Sequence, residues 1–66
     1  MIPSRFIQSE IDYLVEVCNF TPDELQLFLM RTRDKSLVQC SIEMNISIDT
    51  AKKISRKVNN KIIRVL

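Results

Sequence analysis

The chain of 66 residues contains no glycine and no histidine, and only two prolines and two cysteines. Without glycine there is no Gly-rich loop to cradle a phosphate, and a turn that needs a left-handed residue falls to Asn, the side chain that tolerates that conformation next best. Without histidine, the usual general base and the commonest metal ligand are both missing. Cys18 and Cys40 form neither a Cys-x-x-Cys redox pair nor a metal-ligand spacing. An enzyme is therefore not expected, and neither is a metal or any other cofactor. No apolar run approaches the roughly 20 residues of a membrane span, and Met1-Ile2-Pro3-Ser4 lacks the apolar core of a signal peptide. A cytoplasmic protein with no membrane partner is expected. In such a compartment both cysteines read as small buried hydrophobes, and a disulfide between the first and third helices is the alternative the sequence leaves open.

Sixty-six residues make one domain, 1–66, near the lower limit at which an unaided core suffices. Such a core is thin. Stability is expected from a partner, from dimerisation, or from closely packed helices with short loops. The net charge of +2 hides a lopsided distribution. Residues 1–45 carry seven carboxylates against four cations, whereas residues 46–66 carry six cations against one carboxylate. A basic helix after an acidic body is the electrostatic footprint of a nucleic-acid reader, and an ordinary solvated helix face is the plain alternative.

Helical spacing organises the chain into four segments. In 4–18, with Ser4 as cap, Ile7, Ile11, Leu14, Val15 and Cys18 form one apolar stripe; Phe6 and Tyr13 either widen it or mark a contact surface. After the break at Asn19-Phe20, Thr21-Pro22-Asp23-Glu24 is the clearest helix start in the sequence. Thr21 caps, Pro22 takes the first helical position, and Glu24 returns to the Thr21 amide. This second helix, 21–32, carries more apolar residues than one face needs, with Phe28 as the expected centre of the core. Arg31 to Lys35 form a polar connector whose cations either reach a phosphate or serve solubility. Ser36 caps a short helix, 36–44, in which Leu37, Cys40, Ser41 and Met44 share one face and Gln39 and Glu43 lie outside. Asn45 supplies a left-handed turn, Ile46 plugs the gap between helices, and Ser47 caps the last helix, 47–65. There Ala51, Ile54, Val58, Ile62 and Val65 make an apolar stripe. Asp49, Lys52, Lys53, Arg56, Lys57, Asn60, Lys61 and Arg64 make the polar side. Ile62, Ile63, Val65 and Leu66 are expected to cover the first helix or pair with a second copy. The expected fold is all-α, a small four-helix bundle containing a helix-turn-helix with a long C-terminal recognition helix.

The stretch FTPDELQLFLMRTRDKSLVQCSIEMNISIDTAKKI resembles, without gaps, the DNA-binding domain of LuxR-type regulators. It also resembles the region of sigma-70-family sigma factors that reads the −35 promoter element. The features that carry the resemblance are Thr21-Pro22 with Glu24, Leu27 and Phe28, Ser36, the turn Met44-Asn45-Ile46-Ser47, and Thr50-Ala51-Lys52. The tail SRKVNNKIIRVL resembles the basic, Leu-ending tail of the sigma version. The chain departs from the pattern at Asn45, where the family usually has Gly, at Ser41, where it has Ala, and near Asp34, where it has a small residue. The resemblance implies a DNA-binding transcription regulator in a prokaryotic or phage setting, and puts the Ser36 helix start against a backbone phosphate.

In that role the last helix lies in the major groove of double-stranded DNA. Thr50, Lys52, Lys53 and Arg56 are the candidate base contacts, since Lys and Arg donate to guanine acceptors and Thr meets a phosphate or a thymine methyl. Ser36, Ser47 and Lys57 are the candidate backbone contacts. The alternative is a protein-interaction module with a sigma-like fold that binds RNA polymerase, a regulator or its own copy. A homodimer would then form through helix 4–18 or the end 62–66.

Overall fold

Left-handed residues mark each gap between helices. The computed structural model describes residues 6–66, and among them are four helices and no strand: α1 (Gln8–Val17), α2 (Pro22–Thr32), α3 (Leu37–Met44) and α4 (Ile48–Val65). Asn19, Asp34 and Asn45, one in each connection, have φ of 53°, 65° and 57°. Asn and Asp are the side chains that tolerate this region best when glycine is absent. At Asp34 and Asn45 the backbone closes a Schellman motif. The Asp34 amide donates to Arg31 O and the Lys35 amide to Met30 O; the Asn45 amide donates to Ile42 O and the Ile46 amide to Ser41 O. Each turn therefore satisfies carbonyls that the helix end would otherwise orphan. Asn45→Ala is expected to cost about 1 kcal/mol, the steric cost of a Cβ without a helpful polar group at this φ. That lowers Tm by roughly 4–8 °C for a domain this small. Asn45→Gly should melt at or above wild type. A thermal scan in which alanine and glycine behave alike would show that the turn does not need its left-handed residue.

The helix starts follow side chains that the sequence exposes. Thr21 Oγ1 accepts from the Glu24 amide at 3.3 Å while Glu24 Oε1 accepts from the Thr21 amide at 3.0 Å, a reciprocal capping box. Ser36 and Ser47 accept from the amides of Gln39 and Thr50, both at 3.1 Å. The first helix differs from expectation. Ser4 lies outside the described residues, and α1 opens at Gln8 after an extended Ile7, whose amide is held by Glu10 Oε1 at 3.0 Å. Ile7 therefore leaves the apolar stripe and is exposed.

α4 is the spine of the molecule. At about 1.5 Å per residue its length is roughly 27 Å, close to the 29 Å long axis of the whole domain. α1, α2 and α3 all pack against it, and α2 also packs against α3. The side chains that bind them are the expected ones: Ile11, Leu14, Leu27, Phe28, Cys40, Ala51, Val58 and Ile62 are buried, with Ile54, Val65, Leu37, Met44 and Ile46 packed against them. Phe28 is 0% exposed, with the ring of Phe20 5.1 Å away and that of Phe6 6.4 Å away. Ser41 is polar yet buried, and its hydroxyl donates to Val38 O at 2.6 Å, so it leaves no unsatisfied group. Cys18 and Cys40 are both buried and both free thiols, so the disulfide alternative does not occur. Burial pushes both thiols up from their ordinary value, which keeps them protonated and inert at neutral pH. Among the described residues, no helix is long and apolar enough to cross a membrane.

Candidate nucleic-acid interface

The polar side of α4 is set by its apolar side. Because Ala51, Ile54, Val58 and Ile62 turn inward at spacings of three and four, the residues between them must turn out. Thr50, Lys52, Lys53, Arg56 and Lys57 are all exposed, brought together within about two turns of one helix. None of these four cations forms an ion pair with a described residue. Asp49 is exposed in the first turn, where a carboxylate suits the positive end of the helix dipole. Ser47 precedes it. Its hydroxyl accepts from the Thr50 amide and donates to Thr50 Oγ1 at 2.9 Å, so the two side chains order each other at the helix start. Ser36 stands apart at the start of α3, exposed and engaged as that helix's cap.

Two parts of the expected cationic surface are occupied. In the connector, Arg31 Nη1 donates to Lys35 O at 3.0 Å, and the Lys35 ammonium donates to both carboxylate oxygens of Glu43 at 2.8 and 2.9 Å. Of the connector cations, only Arg33 has no bond to another described residue through its side chain. On α4, Lys61 does not belong to the open face. Its ammonium binds Glu24 Oε1 and donates to Asn19 O at 3.3 Å, while its own carbonyl faces Cys18 Sγ at 3.6 Å. Glu24 is 4% exposed, so this pair ties the start of α2 and the end of α1 to the second half of α4.

The Glu24 carboxyl shows what the pair contributes. Burial alone would raise it, but the Lys61 ammonium, the Thr21 amide and the more distant Lys57 charge outweigh burial and hold it below the ordinary carboxylate value. A carboxyl lowered in the folded state contributes stability that is present above its unfolded pKa and lost as pH falls through the folded one. Lys61→Met leaves a buried carboxylate unpaired and should cost about 1–3 kcal/mol at pH 7. The deficit should shrink as pH falls below about 4, where the unfolded-state carboxyl takes up its proton. Melting curves for wild type and Lys61→Met at pH 7 and pH 3 test this, and an equal gap at both pH values would rule out the ion pair as its cause.

Some surface features carry no signal in the sequence pattern. Val38 and Ile42, one turn apart on α3, are 58% and 72% exposed, and Ile63 and Leu66 are 62% and 78% exposed rather than covering α1. The reason is geometric. α3 has only 8 residues and packs on α2 and α4, and the end of α1 meets α4 at Lys61, whose carbonyl accepts from Cys18 Sγ. No family model, no curated protein and no solved structure matches this chain.

Proposed function

We propose that α3, the Asn45 turn and α4 act as a helix-turn-helix that binds double-stranded DNA, in a non-catalytic cytoplasmic regulator of transcription. The observation that carries this reading is the set Lys52, Lys53, Arg56 and Lys57, four exposed cations without ion-pair partners among the described residues, on one rigid helix. Their backbone is held by the inward side chains of the same helix, so the charges are presented in a fixed register. An α-helix fits the major groove, and a row of Lys and Arg suits both phosphates and guanine edges. The likeness of residues 20–66 to LuxR-type and sigma-70-family DNA-binding domains supports the same role. Thr50, Lys52, Lys53 and Arg56 then face base edges, and Ser36, Ser47 and Lys57 the backbone.

Fluorescence anisotropy with mixed-sequence duplex DNA across a salt series tests this. Neutralising about four phosphates gives a slope of log K against log salt near −3.6, which is about a hundredfold loss between 50 and 200 mM. Flat salt dependence, or no binding at 20 mM salt, would instead favour the second reading, a protein-interaction module that meets RNA polymerase or a regulator. The exposed Val38 and Ile42 are the observation in its favour.

A further inference from the structure

α1 is the least anchored of the four helices. It leans mainly on α4, whereas α2 and α3 each pack on α4 and on each other. Of its core side chains, Leu14 is 2% exposed, but Ile11 and Cys18 keep 8% and 7%, against 2% or less for Leu27, Phe28, Cys40, Val58 and Ile62. Two shallow cavities of about 310 and 320 Å³ indent its contact with α4, one where Tyr13 and Leu14 meet Leu66 and one where Val17 and Cys18 meet Lys61 and Val65. Its ends are weak as well. Ile7 offers no side-chain cap, no cation stands in the last turn, and Glu16 there opposes the helix dipole. At 10 residues it is shorter than the roughly 12–15 at which an isolated helix becomes even marginal in water. α1 is therefore helical only while it is docked.

Lys61 clasps its far end. The Lys61 ammonium donates to Asn19 O at 3.3 Å, and the Lys61 carbonyl accepts from Cys18 Sγ at 3.6 Å. The same ammonium binds Glu24, and that pair joins α2 to α4 without any help from α1. Releasing α1 therefore costs Lys61 one carbonyl partner and leaves the α2–α4 link in place. Phe28 likewise loses the Phe6 ring, 6.4 Å away, but keeps the nearer Phe20 ring at 5.1 Å. The chain leaves α1 through Asn19, whose φ of 53° breaks the helix before α2.

We propose that α1 is a separately opening strap, which undocks and unwinds as one unit, pivoting at Asn19, while α2, α3 and α4 stay folded. Opening bares the Cys18 thiol and the α4 surface around Lys61 and Val65. It leaves Lys52, Lys53 and Arg56 in place, since they lie on the first half of α4. The spine thus carries a gated surface on one half and a permanent one on the other. The strap does not depend on the DNA reading, and its test contains no DNA.

Native-state amide exchange followed by NMR, at guanidinium concentrations below the melt, is the test. The Leu14, Val15 and Cys18 amides are expected to share one level of protection, about tenfold or more below that of the Phe28 and Val58 amides, with a shallower denaturant dependence because the opening exposes less surface. Equal protection and slope in both groups overturns the proposal. So does protection that decays step by step inward from the ends of α1, which is fraying and not a unit. Met44→Ala, at the end of α3 beside the start of α4, supplies a second measurement. It should lower the Phe28 and Val58 protection by about fivefold and leave the three α1 amides unchanged, since their opening does not pass through global unfolding. A matching fall in α1 would show one cooperative unit and no strap.

Discussion

Phe28→Ala is expected to remove the cooperative melt altogether. Phe28 is the largest fully buried side chain, flanked by the tilted rings of Phe6 and Phe20 and part of one core with α3 and α4 side chains. Truncating a buried Phe costs about 3–5 kcal/mol through lost transfer energy and the cavity left behind. A 66-residue domain has in total only about 3–10 kcal/mol of stability at 0.05–0.15 kcal/mol per residue, so this one change consumes most or all of it. Calorimetry should find no transition, or one shifted down by more than about 15 °C. Ile42→Ala, at an exposed site on α3, should stay within about 0.5 kcal/mol of wild type. If Phe28→Ala melted near wild type, the core would have to be centred elsewhere than on α2.

That core was legible because it obeys local rules. The spacings of Ala51, Val58 and Ile62 define one face of α4, and the capping pairs Thr21/Glu24 and Ser47/Thr50 set helix starts within a few residues of their positions in the sequence. Asn45 was legible for a different reason: in a chain without glycine, few residues can take a left-handed turn, and Asn after an apolar helix is the best of them. What the sequence hides is long-range. Glu24 and Lys61 lie 37 residues apart, and nothing local in either segment says that the Glu of a capping box also receives a Lys from α4. Periodicity alone places Lys61 with Lys52, Lys53 and Lys57, because it sorts residues by helix face and does not know what stands opposite. The same blindness applies to Ile63, Leu66, Val38 and Ile42. Their apolar chemistry predicts burial, but the neighbouring elements leave most of each side chain exposed.

The candidate DNA contacts are of two kinds, and experiment can separate them. Lys53 and Arg56 lie near the middle of the side of α4 opposite Ala51 and Val58, on the line continued by Asp49 and Asn60. Lys57 is displaced toward α2, close enough for its charge to lower the Glu24 carboxyl. A cation at the middle of a groove-bound helix meets base edges, whereas one at its flank meets the phosphates of the groove wall. Lys57→Ala should therefore weaken binding to every duplex by a similar factor and reduce the salt slope by about one. Lys53→Ala and Arg56→Ala should each cost about 1–3 kcal/mol on the preferred sequence. On scrambled DNA the loss should be much smaller, because non-specific binding rests on the phosphates alone. Joint reversal, Lys53→Glu with Arg56→Glu, changes only exposed positions, so the helical signal and Tm should hold while binding falls below detection. Equal losses for Lys53→Ala and Lys57→Ala on cognate and scrambled duplexes would mean that α4 rides on the backbone without entering the groove, and that sequence preference must come from elsewhere on the chain or from a partner.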